Sequence, residues 1–186
     1  QLEKYQGLQT LRKWINTVDE EYAGDEKCFV DKLVAANPNI IDLEMGLPAW
    51  KEQETAPRMD LVEIEPTTNG RNVVFWEAKL VTDGRIRSSS IVVADKNPEV
   101  LKQLSDYRKF LNAEGHADLV ANAYRNSATL IVKLREMADA LGDVYPLGTE
   151  ILAADSPSKL GVDHSPRLVV LNSRKSDQMA WKVHAD

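Results

Sequence analysis

Ten residues, Asn72–Val81, constrain this chain more than any others. Val73, Val74, Phe75 and Trp76 form a run of strong β-formers, and Ala78, Leu80 and Val81 extend it. Glu77 and Lys79 sit inside that run. Residues two apart leave the same face of a strand, so both charged side chains share a face with Val73 and Phe75. Such a face is at least partly buried. A carboxylate and an ammonium placed there need partners or a metal. The simpler alternative is an edge strand whose alternating charges face solvent.

The rest of the chain arranges itself around this strand. Leu61–Glu65 alternates as a second strand, and Pro66–Gly70 between the two carries an Asn-Gly turn signal, so the pair reads as a β-hairpin. Asp83-Gly84 marks a further turn, and Arg85–Ala94 reads as a third strand of an antiparallel meander. Upstream, apolar residues at spacings of three and four predict a helix over 1–22. A second helix, Glu26–Ala36, follows Asp25 as N-cap, buries Phe29, Leu33 and Val34, and stops at Asn37-Pro38. Residues 40–58 read as irregular. Downstream, Asn97 caps a helix with Pro98 in its first position, running to about Ala113. Another helix spans Asp118–Leu141, residues 148–154 read as a strand, 156–166 as a loop, and Leu168–Leu171 as a buried strand. Helices, a meander, helices and a strand imply a mixed α/β layer fold around one sheet. The expected organisation is one domain: a helical extension over 1–22, a core over 23–172 and a tail over 173–186.

Composition limits the alternatives. With 186 residues, 43% hydrophobic and 28% charged, the chain can bury a full core and is not disordered throughout. No apolar run approaches the roughly 18 residues of a membrane span, so no membrane role is expected. Cys28 is the only cysteine, which excludes an internal disulfide and four-cysteine zinc or iron–sulfur sites. A reducing, cytoplasmic setting is the simplest expectation. Gln1 rather than Met opens the sequence, and a parent chain or protein partner is expected accordingly. The net charge of −6 counts against a basic surface overall and leaves room for a local basic groove. His116, His164 and His184 lack metal-ligand spacing and read as surface residues. Cys28 has no histidine near it in sequence and reads as a small buried residue.

Asp60 opens the first strand of the hairpin and can lie alongside Glu77 across the pair. Two carboxylates and one ammonium then converge at the sheet. That set has a chemical use. Paired carboxylates suit Mg²⁺, which takes oxygen ligands and keeps several waters. Such an ion polarises a phosphoryl oxygen, and a neighbouring lysine can orient the attacking water and offset charge building on the phosphate.

Asp60, sixteen intervening residues and Glu77-Ala78-Lys79 resemble the signature of the PD-(D/E)XK nuclease superfamily. After 23 more residues, Gln103-Leu-Ser-Asp-Tyr107 resembles the Q-x-x-x-Y element of its RecB-like members, with Gln103 and Tyr107 on one helix face. The resemblance covers roughly residues 20–172. It departs from the pattern at Met59, where proline is usual before the aspartate. It implies a restriction-endonuclease-like core, a central mixed sheet with helices on both sides, and a Mg²⁺- or Mn²⁺-dependent nuclease acting on DNA. By the same resemblance, Asp60, Glu77 and the backbone carbonyl of Ala78 hold the metal, and Lys79 positions the water. Gln103 and Tyr107 support the site. Glu26 is the preferred upstream glutamate to complete it, with Glu20 and Glu21 as rivals. Arg85 and Arg87 after the strand, and Arg108 and Lys109 beside Tyr107, are candidate contacts to a phosphate backbone. The alternative is a nuclease-fold module that binds nucleic acid or protein without catalysis.

Overall fold

Alternating side chains build the centre of the fold. In the computed structural model of the chain, β1 (Ile40–Gly46), β2 (Arg58–Thr67) and β3 (Gly70–Leu80) form an antiparallel meander. The structure describes residue 4 and residues 6–21, 25–48, 58–86, 98–142, 146–154 and 160–171. β2 and β3 are joined by the two-residue turn Thr68-Asn69 and stay in register from Thr67 opposite Gly70 to Leu61 opposite Trp76. Two short strands, β4 (Leu160–Val162) and β5 (Arg167–Leu171), run parallel to β3 along its other edge. β4 lies beside Arg71–Val73 and β5 beside Trp76–Leu80. The sheet is mixed, and β3 is its central strand.

Five helices are found among the described residues: α1 (Leu8–Glu21), α2 (Asp25–Ala36), α3 (Glu99–Asn112), α4 (His116–Ala140) and α5 (Thr149–Ala154). α3, α4 and α5 cover one face of the sheet and α2 the other. Val62, Ile64, Val73 and Phe75 pack against Tyr107 and Phe110 of α3, Tyr124 of α4 and Ile151 of α5. Leu61 and Ala78, on the other face, meet Phe29 of α2, with Leu33, Val34, Trp76 and Leu80 around them. Phe75 is fully buried, a side chain whose removal from water contributes about 1.5–3 kcal/mol. α3 and α4 are joined through Gly115, whose φ of +76° suits a residue without a Cβ.

Several expectations are corrected. Residues 40–46 form an edge strand, not irregular chain. The strand's alternation is broken by a register shift between Ile40 and Asp42 and by a positive φ at Glu44, which hid its period. No strand begins at Arg85. Gly84–Ile86 is a single 3-10 turn, and residues 87–97 lie outside the described part, as do Arg87 and Asn97. Among the described residues, the third antiparallel strand is β1, ahead of the hairpin. The helix expected after Asn97 begins at Glu99, with Pro98 in the capping position. Residues 149–154 form a helix, α5, rather than a strand. The stretch read as a loop over 156–166 contains β4. α1 is shorter than the expected 1–22, starting only at Leu8, and Leu8, Leu11 and Ile15 on its apolar stripe are exposed while Thr10 is buried. The expected tail at 173–186, including His184, lies outside the described residues.

α5 is placed by distant contacts. The Gly148 N–H donates to the Pro38 carbonyl at 2.8 Å, and the Glu150 N–H donates to Asn39 Oδ1 at 3.2 Å. A Cβ at Gly148 would overlap Asn39 Oδ1 and lie 2.6 Å from the Pro38 oxygen. Gly148→Ala should therefore lower stability by about 1–3 kcal/mol. Gly46→Ala, where nothing lies within 4 Å of the new Cβ, should change it by less than about 0.5 kcal/mol. Urea unfolding of the two variants checks the contrast. Equal effects would contradict it.

Candidate active site

The site begins where two strands separate. β3 keeps its parallel partner β5 as far as Leu80. Its antiparallel pairing with β2 ends at Leu61 opposite Trp76. β2 continues beside β1 to Arg58. The two strands thus form a fork, and the β2-facing edge of β3 at Ala78 has no backbone partner in β2. A side chain supplies one. Asp60 Oδ2 accepts the Ala78 N–H at 2.7 Å. The Ala78 carbonyl accepts from Lys79 Nζ at 2.8 Å. These bonds satisfy backbone groups that would otherwise be costly to leave unmade.

Lys79 Nζ is the meeting point. It lies 2.7 Å from Glu77 Oε1, 3.4 Å from Asp60 Oδ2 and 3.8 Å from Glu26 Oε1. Glu77 and Lys79 are each 2% exposed. The charged pair is therefore interior, on the face that Val73 and Phe75 share, and not a solvated edge. The β pattern places Glu77 and Lys79 there; the end of the hairpin register brings Asp60 across; and the first turn of α2 brings Glu26.

α3 closes the site from the side. The Tyr107 hydroxyl lies 2.9 Å from Glu77 Oε2 and also against the Arg58 carbonyl. Its single proton serves one acceptor at a time. Burial first, and then the Glu77 carboxylate, push the Tyr107 phenol well above its ordinary value, so it remains a donor. Gln103 lies one helical turn earlier. Its Oε1 is buried and has no hydrogen-bond partner among the described residues. Sequence spacing put Gln103 and Tyr107 on one face; only Tyr107 reaches a site carboxylate.

The rim carries a second cluster. Asp83 accepts from the Arg85 backbone N–H at 2.8 Å and from its guanidinium at 2.5 Å. Arg85 also lies 3.7 Å from Glu26 Oε2. Arg85 thus sits beside the site as expected, although held by carboxylates. Arg108 is exposed, and Lys109 pairs with Asp106 at 3.2 Å. Neither is brought into the cluster. Side chains of Glu20 and Glu21 are outside the description, so Glu26 is the upstream glutamate that the structure brings near. His116 is half-buried against Phe110, and exposed His164 contacts Asn112. Neither joins the site. Cys28 is partly buried.

Asp83 and the Arg58 carbonyl were not singled out from sequence. Asp83-Gly84 signals only a turn, and a backbone carbonyl leaves no sequence signal.

Electrostatics follow from this packing. Burial raises the Glu77 pKa above 4.5, and the neighbouring Asp60 charge adds to it; Lys79 and Tyr107 only partly oppose them. Burial works against the Lys79 ammonium, but Glu77, Asp60 and Glu26 outweigh it and hold its pKa above 10.5. Lys79 is thus charged at neutral pH. The Arg85 hydrogen bonds hold the Asp83 carboxyl below 3.8.

Among the described residues, no three His, Cys, Asp or Glu side chains form a group able to hold an ion by themselves. The donor set that does converge is two carboxylates and one peptide carbonyl. All are hard oxygen donors, and their number suits an ion that keeps several waters, as Mg²⁺ and Mn²⁺ do.

No protein-family model, curated protein or solved structure matches the chain.

Two outcomes follow. Tyr107→Phe removes the donor to Glu77 and should lower stability by about 1–3 kcal/mol in urea unfolding; no loss would show that the hydroxyl is dispensable. For Asp83 the folded pKa lies below the unfolded value. Its contribution is therefore present above pH 3.8 and lost as the pH falls through the folded value. Asp83→Asn should cost less than about 1 kcal/mol at pH 7, because the Arg85 side chain is 41% exposed and solvent screens the pair, with the difference closing as the pH falls below the folded value. A difference that does not shrink as the pH is lowered from 7 through the acid range would assign the effect to the turn and not the charge.

Proposed function

We propose that this chain is a metal-dependent nuclease of PD-(D/E)XK type, with a restriction-endonuclease-like core and DNA as substrate. One observation carries the reading: Asp60, Glu77, the Ala78 carbonyl and Lys79 converge at the fork between β2 and β3. A buried charged cluster of this kind is costly to maintain for structure alone. Its cost is understood if the site performs hydrolysis.

Each residue then has a task. Asp60 and Glu77, with the Ala78 carbonyl, hold a hard divalent ion. Bound there, Mg²⁺ or Mn²⁺ supplies Lewis-acid polarisation of a phosphoryl oxygen and lowers the pKa of water. Lys79 orients the attacking water and offsets charge developing on the phosphate. Tyr107 fixes the Glu77 carboxylate by donating to Oε2. Gln103, one turn before Tyr107 on α3, carries a buried acceptor that a water or substrate donor could satisfy. Glu26 adds negative charge at the edge, and Arg85 faces it.

The test is cleavage of plasmid, linear duplex and single-stranded DNA with Mg²⁺, Mn²⁺ or chelator. The folded chain should cut in the presence of either metal and not in chelator. Lys79→Ala should lower the rate by about 100-fold or more. A folded protein that cuts none of these substrates with either metal would overturn the reading.

A further inference from the structure

The three groups assigned to the ion are also the nearest partners of Lys79. Its Nζ lies 2.7 Å from Glu77 Oε1, 2.8 Å from the Ala78 carbonyl and 3.4 Å from Asp60 Oδ2. An ammonium in contact with these oxygens leaves no room for a divalent ion bound to the same lone pairs. Two cations sharing them would repel at close range beside the buried Glu77 and Lys79 side chains. The ion-paired cluster also has a charge imbalance. Four carboxylates, Glu26, Asp60, Glu77 and Asp83, face two cations, Lys79 and Arg85. Two negative charges are left over, the charge of one divalent ion.

We infer that the Lys79 ammonium is the site's own counter-ion in the absence of metal, and that a divalent cation enters by displacing it from Glu77, Asp60 and the Ala78 carbonyl. This inference rests on the metal-dependent reading above. Two consequences follow. Lys79 compensates the buried carboxylates, so the fold does not require metal. Lys79 also weakens the metal affinity of the wild-type chain, because each binding event must first free the ammonium. Its long, flexible stem permits that exchange. The ammonium that positions water is released for that task by the ion itself, which ties readiness for hydrolysis to metal occupancy.

Calorimetry with Ca²⁺ and Mg²⁺ on the full chain and on Lys79→Met tests the exchange without measuring cleavage. Lys79→Met should bind either ion more tightly, on the order of tenfold or more. In chelator its thermal midpoint should fall below that of the wild type, and Ca²⁺ should raise it by more than it raises the wild type. If Lys79→Met is unfolded in chelator, folding on addition of Ca²⁺ supports the exchange, and failure to fold in both conditions overturns it. Equal affinities in the two proteins would overturn the exchange and leave the metal site standing. Absence of binding in both would overturn the metal-dependent reading as well.

Discussion

The hydrogen bond from the Ala78 N–H to Asp60 Oδ2, at 2.7 Å, is the contact on which the rest of the site depends. It stands where a strand-to-strand backbone bond would continue the hairpin. By replacing that bond with a carboxylate, the chain can separate β2 from β3 without stranding a buried donor. The separation opens the space into which Glu77 and Lys79 project. The parallel strand β5 secures β3 from the other edge through Trp76–Leu80, so β3 does not itself yield at the fork.

The surrounding fold holds this arrangement against its cost. Glu77 and Lys79 are interior, and removing one partner of such a pair typically costs about 3–5 kcal/mol because the other is left uncompensated. Tyr107 shares the load by donating to Glu77, and it is itself fixed among Phe75, Phe110 and Leu111. The core of the α3 and α4 side is thus continuous with the floor of the site. On the opposite face α2 anchors through Phe29 and delivers Glu26 from its first turn. Packing on both faces therefore sets the position of the charges between them.

Much of this was legible in the sequence, for identifiable reasons. Period-two spacing placed Glu77 and Lys79 on the face of Val73 and Phe75, and hairpin geometry suggested Asp60 near Glu77, although the pairing stops at Leu61–Trp76 and Asp60 meets the Ala78 N–H and Lys79 instead. Period-four spacing put Gln103 and Tyr107 on one side of α3. The parts that were missed depend on irregularity or distance. β1 carries a bulge and a positive φ at Glu44, so its apolar residues do not alternate cleanly. α5 has six residues, too few to show a helical period, and its first turn is fixed by Asn39, 111 positions away from Glu150. The Arg58 carbonyl, which meets Tyr107, is invisible to any reading of side-chain types. Asp83 was seen only as part of a turn, although its carboxylate holds Arg85 at the rim.

The central claim is that the fork between β2 and β3 is a cation-dependent hydrolytic site. Anomalous diffraction from crystals grown with Mn²⁺ tests it most directly. A peak bonded to Asp60, Glu77 and the Ala78 carbonyl is expected, with the Lys79 ammonium moved out from between them. Mn²⁺ bound at another place, or no peak at saturating Mn²⁺ with Lys79 still contacting Glu77 and the Ala78 oxygen, would contradict it.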